Sequence, residues 1–246
     1  MAYMNNFNFS SNNNTERNSA MNNRYLDNSL DISNPAPRCP VILLLDVSGS
    51  MAGSPINELN QGYRQFLQET ANDEAASMSV ELEVITFGDT AEVHQPFASI
   101  SNIGPNPAAF QAAGLTSMGM ALELADDHLK ARRQKYRDNG IAAYRPWVVL
   151  MTDGKPNDNW KHPAAQIRSL AEKGKINYLG VAIGSGVDMN TLKQIVPSPV
   201  RLQGLKFKQF FRWLTDSLGA VSASAVSDQN NVQFGDIRTW ADLDNM

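Results

Sequence analysis

Cysteine occurs once in 246 residues, at Cys39, and histidine three times. A single thiol closes no intrachain disulfide, which suits a reducing, cytoplasmic setting. So few cysteines and histidines also argue against a Cys/His zinc centre. No apolar run approaches the roughly 18 residues that span a membrane, and the first thirty residues show no apolar stretch of the signal-peptide kind. Charge is scarce too, at 19% Asp, Glu, Lys and Arg, with 21 basic against 25 acidic residues and a net charge of −4. The longest basic cluster, residues 130–135, falls on an expected helix and reads as a solvated face. Without a basic stripe, neither nucleic acid nor a membrane surface is an expected partner.

Asparagine fills part of the gap. It recurs from Asn5 to Asn34, and it favours neither helix nor strand interiors. Few apolar residues accompany it to offset the entropy of ordering, so residues 1–34 are expected to form a flexible arm. The remainder, 42% apolar for the chain as a whole, can bury a sizeable core. A domain over residues 35–226 and a polar tail over 227–246 are expected. In the tail, Ile237, Trp240 and Leu243 recur at a spacing of three, which suits either a docking segment or a frayed end.

Within 35–226 the pattern alternates. Residues 39–45 form an apolar run of the kind a doubly buried parallel strand shows, 147–151 read as the next buried strand and 176–183 as a further strand. Residues 80–87 read as a strand, and 91–94 as a short antiparallel edge after the Gly88-Asp89 turn. Residues 200–202 read as a short strand. Helical spacing of apolar residues follows Ser54-Pro55, Ser117, Pro163, Met189 and Lys206. The expectation is one α/β domain: a doubly wound, mostly parallel six-stranded sheet with one short antiparallel edge strand and helices on both faces.

Such sheets bind ligands at the carboxyl ends of their strands. After the first strand comes Asp46-Val47-Ser48-Gly49-Ser50, and after the 147–151 strand comes Thr152-Asp153-Gly154. Between them, Thr116 precedes a helix start. On an extended or tightly turning segment alternate residues share a side, so Asp46, Ser48 and Ser50 can converge. Two carboxylates and three hydroxyls offer only oxygen, the donor set of a hard cation such as Mg²⁺. Asp158 and His162 follow in the next loop and either rim the site or, the preferred reading, are solvated; Lys155 either touches an anionic partner or, again preferred, is solvated. His94 and His128 read as surface or edge residues.

These residues resemble the metal-ion-dependent adhesion site of the von Willebrand factor A domain: Asp-x-Ser-x-Ser, then a Thr, then an Asp before Gly. Asp46, Ser48, Ser50, Thr116 and Asp153 supply all five elements in order, and the resemblance spans about residues 38–225. Within that family the stretches 48–51, 113–119, 152–160 and 210–214 look like the TerY type of bacterial protein, associated with tellurite resistance, stress and phage defence. The resemblance implies that Ser48 and Ser50 ligate Mg²⁺, with Mn²⁺ or Ca²⁺ as substitutes. It implies that Thr116 joins when a partner binds, and that Asp46 and Asp153 hold waters or bind directly. An Asp or Glu of a partner protein would complete the shell, the partner being of kinase- or phosphatase-like type from the same gene cluster. The function implied is a non-catalytic, metal-dependent protein-binding module.

Two alternatives are weaker. A Mg²⁺-dependent phosphatase or hydrolase with Asp46 as nucleophile is chemically reasonable, but phosphatases of the haloacid dehalogenase type carry an acid where Ser48 stands. Nucleotide binding by residues 49–53 lacks the Gly-Lys-Ser/Thr ending of a phosphate loop.

Overall fold

The computed structural model describes residues 30–242. Seven strands form one sheet: β1 (Cys39–Asp46), β2 (Val80–Phe87), β3 (Ala91–Ser99), β4 (Trp147–Thr152), β5 (Asn177–Ala182), β6 (Val200–Leu202) and β7 (Ala241–Asp242). Their order is β3-β2-β1-β4-β5-β6-β7. The five central strands are parallel, and β3 and β7 run antiparallel at the two edges. The sequence reading expects six strands with one antiparallel edge. The seventh lies in the polar tail, where two residues are too few to give a strand signal. Trp240 just before it is fully buried, so the tail docks at this point; Leu243 lies outside the described residues. The other edge is also longer than expected: β3 runs five residues past His94, with register shifts against Leu82, Val84 and Ile85 that hide a clean alternation.

Helices cover both faces: α1 (Ser54–Asn72), α2 (Glu74–Ser79), α3 (Met118–Asp138), α4 (Lys161–Glu172), α5 (Met189–Ile195) and α6 (Phe207–Ser222). Asp73 ends α1 by leaving the helical region, and its Oδ1 accepts the Ala76 N–H at 2.7 Å to start α2. Every residue of β1 is buried, its odd-numbered side chains facing α1 and α6, and Ile42 and Leu44 facing α3. Cys39 is among them; burial pushes its thiol up to about 12, so it is unreactive at neutral pH.

Two expectations fail on the α3 face. Residues 130–135 are not wholly solvated, because Arg132 is buried against Glu81 of β2. His128, one turn earlier, is likewise buried, its Nδ1 2.7 Å from Glu83 Oε1. Alternating Val-Glu-Leu-Glu suggests a strand with one wet face; α3 instead covers that face and brings the complementary groups. The arm expected over 1–34 falls mostly outside the described residues. At its end, Asn34 donates to the Met78 carbonyl at 2.8 Å and the Arg38 guanidinium bonds the Asp31 and Asn34 carbonyls. Among the described residues no helix is long and apolar enough to cross a membrane.

Candidate metal centre

The chain leaves β1 outward to β2 and β3, then crosses back to β4 on the other side of β1. The switch in strand order therefore falls between β1 and β4, and the loops leaving their carboxyl ends diverge to leave a crevice. Asp46 is the last residue of β1, and Thr152 the last of β4.

Asp46 is fully buried. Its Oδ1 accepts the Ser48 backbone N–H at 2.9 Å, and its Oδ2 accepts the Thr152 hydroxyl at 2.6 Å. Burial pushes its carboxyl above the ordinary value; these hydrogen bonds pull against that, and the nearby Asp153 carboxylate adds to it. The effect of the two bonds is to fold the 46–50 turn. Ser48 Oγ then lies 3.0 Å from Ser50 Oγ, and Ser50 Oγ donates to Asp153 Oδ1 at 2.7 Å. Three oxygens from two loops thus form a chain across the crevice.

Thr116 is carried by a loop laid against the turns that leave β1 and β2. The Ala113 N–H bonds the Val47 carbonyl at 2.8 Å, the Gly49 N–H bonds the Gly114 carbonyl at 3.0 Å, and the Ser117 N–H bonds the Gly88 carbonyl at 2.9 Å. Gly114 has φ 77°, and a Cβ there would stand 2.5 Å from the Asp89 carboxylate, so both conformation and space demand glycine. Thr116 itself is nearly buried, its Oγ1 about 3.5 Å from where a Cβ on Gly154 would lie. All five residues singled out from the sequence therefore line one rim.

Three residues that hold this rim were not singled out as such. Asp89 Oδ1 accepts the Leu115 N–H at 2.8 Å, and its carbonyl accepts the Ser117 hydroxyl at 2.7 Å. Asn157 clamps Thr116 in both directions, its Oδ1 accepting the Thr116 N–H at 3.2 Å and its N–H donating to the Thr116 carbonyl at 3.1 Å. Asp158 is not a solvated loop residue: its two oxygens accept the Gly119 and Met120 N–H groups at 2.9 Å each, satisfying unpaired donors at the start of α3. Gly119 permits this approach, since a Cβ there would stand 2.8 Å from Trp160 Cα. A turn signal at Gly88-Asp89 and an Asp ahead of a helix were visible in the sequence; their partners 26 to 39 residues away were not. His162 is exposed, and Lys155 pairs with Asp188 at 3.0 Å.

The donor set fits a hard cation. Mg–O bonds of about 2.0–2.1 Å in an octahedron put neighbouring ligand oxygens about 3 Å apart, close to the 3.0 and 2.7 Å separations along Ser48, Ser50 and Asp153. Among the described residues no group of three or more His, Cys, Asp and Glu could hold a metal, so any cation here would rest largely on hydroxyls.

A doubly wound sheet with hydroxyls and two aspartates at its switch point places the chain in a class of α/β domain. The sequence pattern of the von Willebrand factor type A domain matches residues 41–214, and the chain belongs to that family. No curated protein matches the chain. Among solved structures it is similar to proximal thread matrix protein 1 from the mussel byssus, at 18% identity and TM-score 0.51, over 75% of this chain and 49% of that one. It is similar to the pilus adhesin SpaC from Lactobacillus rhamnosus GG, at 13% identity and TM-score 0.59, over 75% of this chain and 30% of that one. It is also similar to manganese-loaded TRAP protein from Plasmodium vivax, at 20% identity and TM-score 0.52, over 72% of this chain and 73% of that one. The mussel protein has also been solved with a zinc-occupied MIDAS motif. The matched region spans about half of the mussel protein and under a third of the adhesin. At these identities the likeness is one of fold.

Proposed function

We propose that the rim binds Mg²⁺, or Mn²⁺ or Ca²⁺ in its place, and that the loaded rim captures an Asp or Glu side chain of a partner protein. The observation that carries this reading is the run of oxygens from Ser48 through Ser50 to Asp153, spaced as neighbouring ligands of one octahedron. Ser48 and Ser50 would ligate through their hydroxyls and Thr116 would join when a partner binds, with Asp46 and Asp153 binding directly in the unliganded state or holding waters. When bound, the cation would supply a positive charge that so few carboxylates leave under-neutralised, and hence an affinity for an outside carboxylate. The chain's own part is positioning. Asp46 fixes the 46–50 turn, Asn157 and Asp89 fix the Thr116 loop, and Asp158 joins the Asp153 loop to α3.

The same geometry speaks for binding over catalysis. Asp46, the candidate nucleophile of a phosphatase, has both oxygens engaged and no exposed surface. The finer reading is a cytoplasmic bacterial module of tellurite resistance, stress response or phage defence, with kinase- or phosphatase-like partners. It rests on the sequence stretches alone.

Titration calorimetry with Mg²⁺ and Mn²⁺ on the wild type and on Asp153→Ala tests the reading. The wild type is expected to bind, and the variant to bind at least about tenfold more weakly, a loss of 1.4 kcal/mol or more, with an unchanged circular-dichroism spectrum. Equal affinity in the two proteins would refute the assignment.

A further inference from the structure

The opposite end of the sheet carries a cavity of about 350 Å³ between the end of α3, the segment entering β4 and the turn before β5. Four cations line it: Arg133, Arg137, Arg145 and Lys175, and no carboxylate does. Among the described residues none of the four takes part in an ion pair. Two of them are instead held by neutral amides. The Arg137 guanidinium donates to Gln134 Oε1. The Arg145 guanidinium donates to Asn230 Oδ1 and, at 3.5 Å, to Asn177 Oδ1, while its backbone N–H donates to Gln229 Oε1 at 2.5 Å. Amide partners orient a guanidinium without cancelling its charge. Lys135 and Arg137 lie in the last turn of α3, where cations complement the helix dipole. That reason does not reach Arg145, which lies in no helix and just ahead of β4.

We propose that this cavity binds a small phosphomonoester. A phosphate monoester brings close to two negative charges and three acceptor oxygens at neutral pH, which planar guanidiniums meet in pairs. Half-buried Ile141 and Ala143 add apolar surface for the ester's organic body, beside the polar Gln229. The volume lies at the small end of the roughly 300–1,000 Å³ range of small-molecule sites, which favours a mononucleotide-sized ligand over a polymer. Six residues of β4 separate the cavity from the candidate metal rim, about 17–20 Å of strand. The two sites therefore share no residue.

Titration calorimetry with AMP and with inorganic phosphate, at physiological ionic strength, tests this on the wild type and on Arg137→Gln/Lys175→Gln. Both replaced side chains are exposed, so the variant is expected to fold as the wild type does. AMP is expected to bind more tightly than inorganic phosphate, and the variant to lose at least about tenfold in affinity for both. Binding of AMP is expected to survive both EDTA and Asp153→Ala, which keeps this result separate from that at the metal rim. Failure of the wild type to bind AMP at about 10 mM, or equal affinity in the variant, would overturn the proposal.

Discussion

The two faces of the sheet are built from the same strands by different physics. Toward α1 and α6 the interior is apolar and aromatic: Phe66 meets Phe211 with ring centroids 5.4 Å apart, and Phe210 meets Trp240 at 5.0 Å. Its buried side-chain polar contact between those helices is a hydroxyl pair, Thr70 to Thr215 at 2.9 Å. Toward α3, the β2 end of the opposite face is charged. Glu81 accepts from Arg132 at 2.6 Å and from the Tyr136 hydroxyl, with Arg38 at 3.4 Å, and Arg132 also lies over the Phe97 ring at 5.2 Å. The apolar face is stabilised by area removed from water, which tolerates adjustment. The charged face depends on each partner being present, because a buried charge left alone is far more costly than a missing methyl.

The largest expected effect follows from that asymmetry. Glu81→Leu leaves Arg38 and Arg132 buried without their carboxylate and should cost about 3–5 kcal/mol. Adding Arg132→Met to it should recover part of the loss, since an apolar replacement removes one of the stranded charges. Urea denaturation of the two variants would show the recovery as a midpoint above that of Glu81→Leu alone. A double variant less stable than the single would mean that Arg132 contributes through packing on Phe97 and Tyr136 more than through charge.

The contrast between faces also marks what the sequence could convey. The strand ends with their Asp, Ser and Thr were legible because spacing within a short segment and the rule that ligands sit at strand carboxyl ends need no long-range information. The core of β1 and β4 was legible as unbroken apolar runs. Glu81 and Glu83 were not, because strand alternation says which side a residue takes and nothing of what will cover it. His128 and Arg132, four residues apart on α3, point to the same stripe as Tyr136, yet their partners lie 45 to 55 positions earlier. The same holds for Asp89, Asn157 and Asp158, whose work is done by backbone groups in other loops. Trp240 was visible in the tail at a spacing of three with Ile237 and Leu243, but a two-residue strand beside it leaves no strand alternation to read.

A smaller effect tests the apolar face. Thr70→Val strands the Thr215 hydroxyl in an otherwise dry contact between α1 and α6, at an expected cost of about 1–2 kcal/mol. Thr70→Val together with Thr215→Val removes both hydroxyls with little change in shape and should return close to wild-type stability. A double-mutant cycle by chemical denaturation reads the coupling directly. If the two costs simply add, each hydroxyl finds another partner, and this face is less dry than its side chains imply.

The smallest effect concerns an ion pair outside both cores. Asp188 caps α5, its Oδ1 accepting the Asn190 N–H at 3.0 Å, and it pairs with Lys155 at 3.0 Å. The hydrogen bond from Lys155, followed by that from the Thr191 hydroxyl, lowers its carboxyl from the ordinary 3.8 to about 2. Because the folded-state value lies below the unfolded one, the stabilisation is complete above about pH 4 and is lost as pH falls toward 2. Asp188 and Lys155 are exposed enough for salt to screen their attraction, unlike that between Glu81 and Arg132. Thermal melts of the wild type and of Lys155→Met between pH 2 and pH 6 should differ slightly above pH 4 and converge below it, with the difference shrinking at high salt. A difference that persists at pH 2 or in about 1 M salt would show that Lys155 acts through its aliphatic stem.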